Sequence, residues 1–421
     1  MADPIPAGAK PRVLLLIPNL DFGGAQRSFS KISFGLQAWF EVYVGVFNTD
    51  SGIAYPYGGT LLNLEVGGGA NPLQKALRLR ERIQRLRALK QQYGFVACVS
   101  FLEGADYVNV LSKSRRGERT YISIRGSKLF DVEIGGVMGA LRKRIGIPLT
   151  YALADRIITV SDGLREEVEG PPFNVAPAKV RVITNFYDTA AIRAQAAAPL
   201  ESTYEAVFRH PVIINSGRLH VQKNLPGLLT VFAGVSKRVP AGKLVLIGDG
   251  GLKDELLALA RATLGLRTHD AWSGAPVDDS YQVYFIGYQD NPFRFLARAR
   301  VFAFTTDYEG FPNSLAEAMV CGVAAISTDC PTGPREIMAP GSGSPQQVQT
   351  TAEYAPAGIL LPLINRPNPA VAVAEWVRVL SEVVADEAAC RDLGARAAAR
   401  MEEYSTERVF GKWEALLRAA E

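Results

Sequence analysis

The chain has 421 residues, enough for two or three domains, because single cores stop growing well below that length. Its 48% hydrophobic and 21% charged residues describe an ordinary folded protein with material for two cores, and a net charge of +4 is too mild to imply nucleic acid as a partner. Four scattered cysteines, Cys98, Cys321, Cys330 and Cys390, and three spread histidines, His210, His220 and His269, argue against a disulfide framework, a zinc site or a histidine metal site. No apolar run approaches the roughly 18 residues of a membrane span. The start, MADPIPAGAK, lacks the apolar core of a signal peptide, so the chain reads as cytoplasmic.

Residues 1–10 read as a loose tail. RVLLLIPNL (12–20) is a continuous apolar run, as in a parallel strand covered on both faces. Asp21-Phe22-Gly23-Gly24-Ala25-Gln26-Arg27 leads from it into a helix over 28–40. The pair Gly23 and Gly24 lets the backbone approach a ligand closely, although it lacks the GxGxxG spacing of a dinucleotide fingerprint. EVYVGVFN (41–48) is the next strand. A helix over 73–94 carries Leu77, Leu79, Ile83 and Leu86 on one stripe and seven Lys/Arg over 75–90. More basic residues follow at 112–119 and 141–144. Such segments suit an anionic membrane surface and equally a solvated helix face.

FVACVSFLEGADYVNVLSK (95–113) is strand then helix, with Glu103 where the strand ends, and YISIRG (121–126) puts Arg125 at another strand end. Residues 154–168 are again strand then helix, with Ser161 and Asp162 as N-cap candidates. VRVITNFYD (180–188) is a strand, and the changed composition of 190–208 reads as an interdomain linker. The VIIN strand is followed by Ser216-Gly217-Arg218-Leu219 and then Lys223. Two cations on a glycine-containing loop suit a pyrophosphate, Arg as a planar fork and Lys as a point charge. Strands follow at the start of 243–260 and in 283–290. Between and after them 268–282 and 341–354 read as exposed loops, and the chain from Ala370 is helical.

The most informative stretch is VFAFTTDYEGFPNSLAEAMVCGVAAISTDCPTGPREIM (301–338), a unit of strand, loop, helix, strand and loop. Gly310 and Pro312 break regular structure, Asn313 or Ser314 is the expected N-cap of a short helix, and Gly322 closes it. Glu309 in the loop and Glu317 on the helix both stand at the carboxyl end of a strand, where open α/β sheets bind ligands. The helix amino end suits a phosphate, and acceptor side chains to either side of it can hold hydroxyl groups. That arrangement suits a nucleotide sugar.

The run Glu309-Gly310-Phe311-Pro312-Asn313-Ser314-Leu315-Ala316-Glu317 resembles the E-x7-E donor signature of retaining glycosyltransferases of family 4. Arg218 and Lys223 resemble that family's GR-x4-K pattern, residues 160–164 its VS-x-GL segment, and Gly23-Gly24-Ala25-Gln26-Arg27 its GGAER-like loop, with Gln26 in place of Glu. The resemblance covers nearly the whole chain and is strongest over 211–338. It implies an α/β protein of the GT-B fold, two Rossmann-like doubly wound domains facing across a cleft, with a C-terminal helix (407–420) crossing back to the first. The expected domains are 1–195 (acceptor-binding), 196–400 (nucleotide-sugar-binding) and 401–421 (the returning helix).

By the same resemblance a sugar passes from a nucleoside-diphosphate donor, UDP foremost, to a hydroxyl of a glycan or lipid-linked acceptor in envelope synthesis, with retention and without a metal or other cofactor. Arg218 and Lys223 take the diphosphate, Glu309 the sugar and Glu317 the ribose. Gly23, Gly24 and the stretch Gly310, Phe311, Pro312, Asn313, Ser314 and Leu315 complete the donor site. The acceptor side of many relatives carries a histidine, which this chain lacks before His210. Glu103 is the expected catalytic substitute there, and Arg125 the residue for an acidic acceptor group. A peripheral position on the inner face of the cytoplasmic membrane, through 73–90, 112–119 and 141–144, fits lipid-linked acceptors. Two alternatives stay open: a non-catalytic nucleotide-sugar-binding protein, and a sugar-nucleotide epimerase on the same fold.

Overall fold

RVLLLI, all but its first residue buried, is an interior strand of a seven-stranded sheet in the computed structural model. The structure describes residues 10–21, 23–114, 117–129, 136–342, 348 and 350–419. The tail 1–9, Phe22 of the glycine loop, Arg115 and Arg116 of the basic segment, and 343–347 and 349 of the loop at 341–354 lie outside the described residues. The chain divides into two units, Met1–Asn185 with Thr406–Glu421, and Phe186–Ser405.

In the first unit the strands are β1 (Arg12–Ile17), β2 (Glu41–Val46), β3 (Thr60–Asn63), β4 (Ala97–Phe101), β5 (Arg119–Ile124), β6 (Arg156–Thr159) and β7 (Val180–Val182). They pair in the order β3-β2-β1-β4-β5-β6-β7, all parallel, with Leu14 opposite both Tyr43 and Cys98. The last helix, Thr406–Arg418, belongs to this unit and buries Val409, Phe410, Trp413 and Leu417 in it.

The second unit has β8 (Val212–Ser216), β9 (Lys243–Ile247), β10 (Thr268–Asp270), β11 (Val283–Phe285), β12 (Val301–Phe304), β13 (Ala324–Thr328), β14 (Glu353–Ala355) and β15 (Gly358–Leu361). Their order is β10-β11-β9-β8-β12-β13-β15-β14, parallel except for the β14–β15 pair. Helices Leu225–Arg238 and Pro369–Ala385 bring Leu228, Phe232, Trp376 and Leu380 into its core.

Several expectations change. The division falls after Asn185 rather than at 195, because the stretch read as a linker is structured. It forms helices Thr189–Ala196 and Ser202–Phe208, which bury Ile192, Ala196 and Val207 in the second unit. Arg298 Nη1 and Asn291 Nδ2 donate to carbonyls of the first of these helices. The loop at 268–282 opens with edge strand β10, and the loop at 341–354 ends in β14.

The basic helix, Pro72–Tyr93, is also not simply a solvated or membrane-facing element. Arg82 donates to the Val66 and Gly67 carbonyls, Arg85 to Leu64 and Arg87 to Leu111. Lys90 is buried on Asn109 and Glu118. These four cations fasten the helix to its own unit, leaving Lys75, Arg78 and Arg80 towards solvent.

Candidate functional site

The second sheet reverses its strand order at β8, with β9 on one side and β12 on the other. At such a reversal the carboxyl ends of the strands leave room for a ligand. Lys223, beyond β8, and Glu309, beyond β12, meet there, with Nζ 2.5 Å from Oε1 and both side chains largely buried. Thr306 Oγ1 donates to the same carboxylate oxygen at 2.9 Å, and Thr332 Oγ1 donates to the Glu309 carbonyl. The two loops are joined along their backbones too. The Asp307 amide donates to the Gln222 carbonyl (2.9 Å), Gln222 Nε2 to the Tyr308 carbonyl (2.7 Å), and Thr305 Oγ1 to the Lys223 carbonyl (3.0 Å). Asn224, in the left-handed region at φ 46°, caps the next helix and also reaches Asp307.

Arg218, by contrast, is exposed and makes no hydrogen bond or ion pair among the described residues. Its loop lies against the β9 end, where Gly248 has φ +132°. A Cβ at Gly248 would stand 2.0 Å from the Gly217 carbonyl oxygen, so only glycine permits this approach. His220 serves the turn itself, Nδ1 accepting from the Gln222 amide.

The helix after the loop runs Asn313–Val320, with Pro312 in the N-cap position and no capping side chain. The expected caps are helical residues instead: Asn313 Oδ1 accepts from the Tyr187 hydroxyl at 2.7 Å, which takes it away from the helix end. First-turn amides without a cap are donors for an anion. Phe311 is anchored beside the rings of Tyr187 and Tyr404. Leu315 is wholly buried, so its side chain belongs to the core and only its backbone can serve a ligand, while Glu317 is 5% exposed. Gly310, Pro312 and Ser314 complete the turn between the carboxylates. Sequence reasoning missed Gln222, Thr305, Thr306, Thr332 and Tyr187. The Thr-Thr pair directly after β12 was the one local signal.

The remaining candidates lie in the first unit. Gly23 is the N-cap residue and Gly24 the first residue of helix Gly24–Leu36, at the end of β1. Glu103 is not an open carboxylate at a strand end. It begins helix Glu103–Leu111 and is held in two-pronged fashion by Arg142 (3.0 and 2.8 Å) and by the Tyr107 hydroxyl (2.6 Å). Burial raises its pKa, but these hydrogen bonds outweigh it and hold the carboxyl below its ordinary value, which makes a poor base. Arg125 donates Nη1 to Asn185 Oδ1 (2.8 Å) and stands 5.0 Å from the centre of the Phe101 ring. Its Nε and Nη2 are buried without a partner among the described residues. Burial pulls its pKa down to about 9, which still leaves it charged at neutral pH.

One helical turn from Glu103, Asp106 accepts from Ser100 Oγ (2.7 Å), and burial pushes it up to about 7. A folded-state pKa above the unfolded one gives a contribution that is full below about pH 4 and lost as the pH rises through about 7. Asp106→Asn keeps the acceptor oxygen and cannot ionise. Urea unfolding should show it more stable than wild type at pH 8, by about 4 kcal/mol at 1.36 kcal/mol per pKa unit, with the gap closing towards pH 4. A gap independent of pH would assign the effect elsewhere.

Among the described residues no cluster of three or more His, Cys, Asp or Glu is arranged to hold a metal ion, and no helix is long and apolar enough to cross a membrane. Over 191 residues the chain is 35% identical to an uncharacterized glycosyltransferase of Methanocaldococcus jannaschii, covering 45% of this chain and 43% of that protein. Over 326 residues it is 28% identical to the N-acetylgalactosamine-N,N'-diacetylbacillosaminyl-diphospho-undecaprenol 4-alpha-N-acetylgalactosaminyltransferase of Campylobacter jejuni, covering 77% and 82%. The chain thus spans less than half of the first relative's length and most of the second's. The solved structure of HepE from Anabaena in complex with UDP superimposes with a TM-score of 0.70 at 15% identity, over 97% of this chain and 100% of that one. Likeness across both sheets makes the fold GT-B. Residues 210–358, which carry Arg218, Lys223 and the Glu309-to-Glu317 turn, match the model described as glycosyl transferases group 1.

Proposed function

We propose that the protein is a retaining glycosyltransferase of the family 4 type that moves a sugar from a UDP-sugar to a hydroxyl of a lipid-linked or envelope glycan. The observation that carries this reading is the buried Lys223–Glu309 pair beside an uncapped helix start, with Arg218 exposed on the same loop. As the bond from C1 to the diphosphate breaks, its electron pair leaves on the diphosphate oxygen. Arg218, Lys223 and the first amides of helix Asn313–Val320 stabilise that growing charge, so the step needs no metal. The ammonium has three donors and can keep Glu309 while engaging a phosphate. Glu309 then fixes the sugar hydroxyls, which orients C1, and Glu317 holds the ribose. HepE, solved with UDP, and the undecaprenol-linked substrate in the Campylobacter enzyme's name favour UDP and a lipid-linked acceptor.

On the first unit, Arg125 takes an acidic group of the acceptor. A buried guanidinium with two idle nitrogens is costly unless an anion meets it, and a phosphate next to the acceptor sugar supplies one. Contact with an anionic bilayer falls to helical residues 136–153 rather than to the tethered cations of Pro72–Tyr93. There Leu141, Ile145, Leu149 and Leu153 are exposed at intervals of four beside Arg144.

Thermal unfolding with a panel of nucleoside diphosphates tests the donor site. UDP at about 100 times its dissociation constant should add about 2.7 kcal/mol, and Glu317→Ala should abolish the gain. UDP release that depends on added acceptor separates a transferase from a binding protein. Silence towards every nucleotide would overturn the reading.

A further inference from the structure

The nucleotide-sugar reading leaves one aromatic side chain of the second unit without a task. Trp272 sits on a short turn, Ala271–Ser273, directly after edge strand β10, and is 37% exposed although it is among the largest apolar side chains available for burial. It is held deliberately. Asp270 Oδ1 accepts from the Trp272 amide at 3.1 Å, and Lys253 Nζ stands 5.0 Å from the indole centre. The indole lies against Gly287, two residues beyond the end of β11. A Cβ there would lie 3.7 Å from the ring. Gly287 has φ +68°, so its backbone conformation, rather than lack of space, calls for glycine.

A continuous ladder of backbone contacts runs from the diphosphate cations to this ring. The Gly217 amide donates to Ile247, Leu219 to Asp249, and Gly248 to Gly287. Arg218 therefore lies two strand spacings, about 10 Å, from the β11 end, a span that a nucleoside joined to phosphates at the β8–β12 reversal can bridge. The order β10-β11-β9-β8 places all these strand ends on one edge, with Trp272 at its outer limit and exposed Tyr288 beside Gly287.

We propose that Trp272, held by Asp270 and Lys253 over Gly287, is the outer aromatic wall of the nucleobase site and sets which nucleoside diphosphate the protein accepts. The inference rests on the donor reading above and adds a specificity residue to it. The segment that supplies it, 268–282, is one of the two that read as exposed loops in sequence.

Calorimetric titration of the full chain with UDP, GDP and ADP, with tryptophan emission followed in parallel, tests this in wild type, Trp272→Ala and Trp272→Phe. In its unit the other tryptophan, Trp376, is fully buried, and in the first unit Trp413 is buried and Trp39 half-buried, so the part of the emission change that Trp272→Phe removes is the part Trp272 reports. The expected result is quenching by the preferred nucleotide in wild type. Trp272→Ala should bind that nucleotide about 10-fold more weakly, the scale of one base–aromatic contact, and discriminate less among the three. Trp272→Phe should recover most of the affinity without the quenching. Wild-type binding with unchanged affinities and order in Trp272→Ala would overturn the wall while leaving the donor site standing. No binding of any nucleotide to wild type would overturn both.

Discussion

Lys223→Met is expected to lower kcat about 10²- to 10³-fold and, separately, to weaken the fold. The first effect is that of removing one preorganised positive group from a growing anion. The second has a different origin. Glu309 is 7% exposed, and without the ammonium its carboxylate keeps only the Thr306 hydroxyl of the two donors to that oxygen. An ion pair broken from one side inside a protein costs about 3 kcal/mol, the low end of the range, because the Lys223 side chain keeps 15% exposure. Glu309→Gln in the same chain removes the stranded charge, so the double variant should regain most of the urea midpoint and none of the turnover. Arg218→Met is the control: exposed and unpaired among the described residues, it should lose turnover with no change in midpoint. Recovery of turnover in the double variant would mean that the pair is architectural and that the charge on the leaving group is met elsewhere.

This pair also marks where sequence reading stops. Glu309 and Glu317 share one loop and helix, so their common position followed from a strand ending and a helix beginning. RVLLLI and VFAF, apolar on both faces, could only be interior strands, and they are β1 and β12. Lys223 and Glu309, however, are 86 residues apart, and nothing local says that a cation expected to meet a phosphate also holds a carboxylate. The same blindness affected Glu103, whose partner Arg142 is 39 residues away. Its charge suggested a free base, and tertiary structure had already engaged it. Cations on helix Pro72–Tyr93 misled in the same way. Their periodicity described a basic face, but Arg82, Arg85 and Arg87 reach past that face to backbone carbonyls that no pattern predicts. The linker at 190–208 was read from composition, whereas alanine-rich segments form helices readily once a neighbouring surface buries one side.

Ile145→Ser with Leu149→Ser is expected to lower binding to vesicles of phosphatidylcholine and phosphatidylglycerol about 100-fold. Leu141, Ile145, Leu149 and Leu153 lie on helices Gly136–Leu141 and Ile147–Leu153 and the wider π-helical turn, Arg142–Gly146, that joins them. All four are 46–59% exposed, an apolar stripe with no covering element among the described residues. Burying a leucine-sized side chain gains about 1.5–3 kcal/mol, so removing two should account for a loss of that order even if the side chains enter the bilayer only in part. Charge acts beside it on a different footing. Arg144 is exposed, whereas Arg142 is committed to Glu103 and Lys143 donates to the Leu129 carbonyl. Arg144→Glu should therefore weaken binding in dilute buffer and cease to matter as salt shortens the screening length to a few ångströms. The serine pair should cost the same at every salt concentration. A serine pair that binds like wild type would remove the bilayer from this face, and a loss confined to low salt would return the contact to the cations alone.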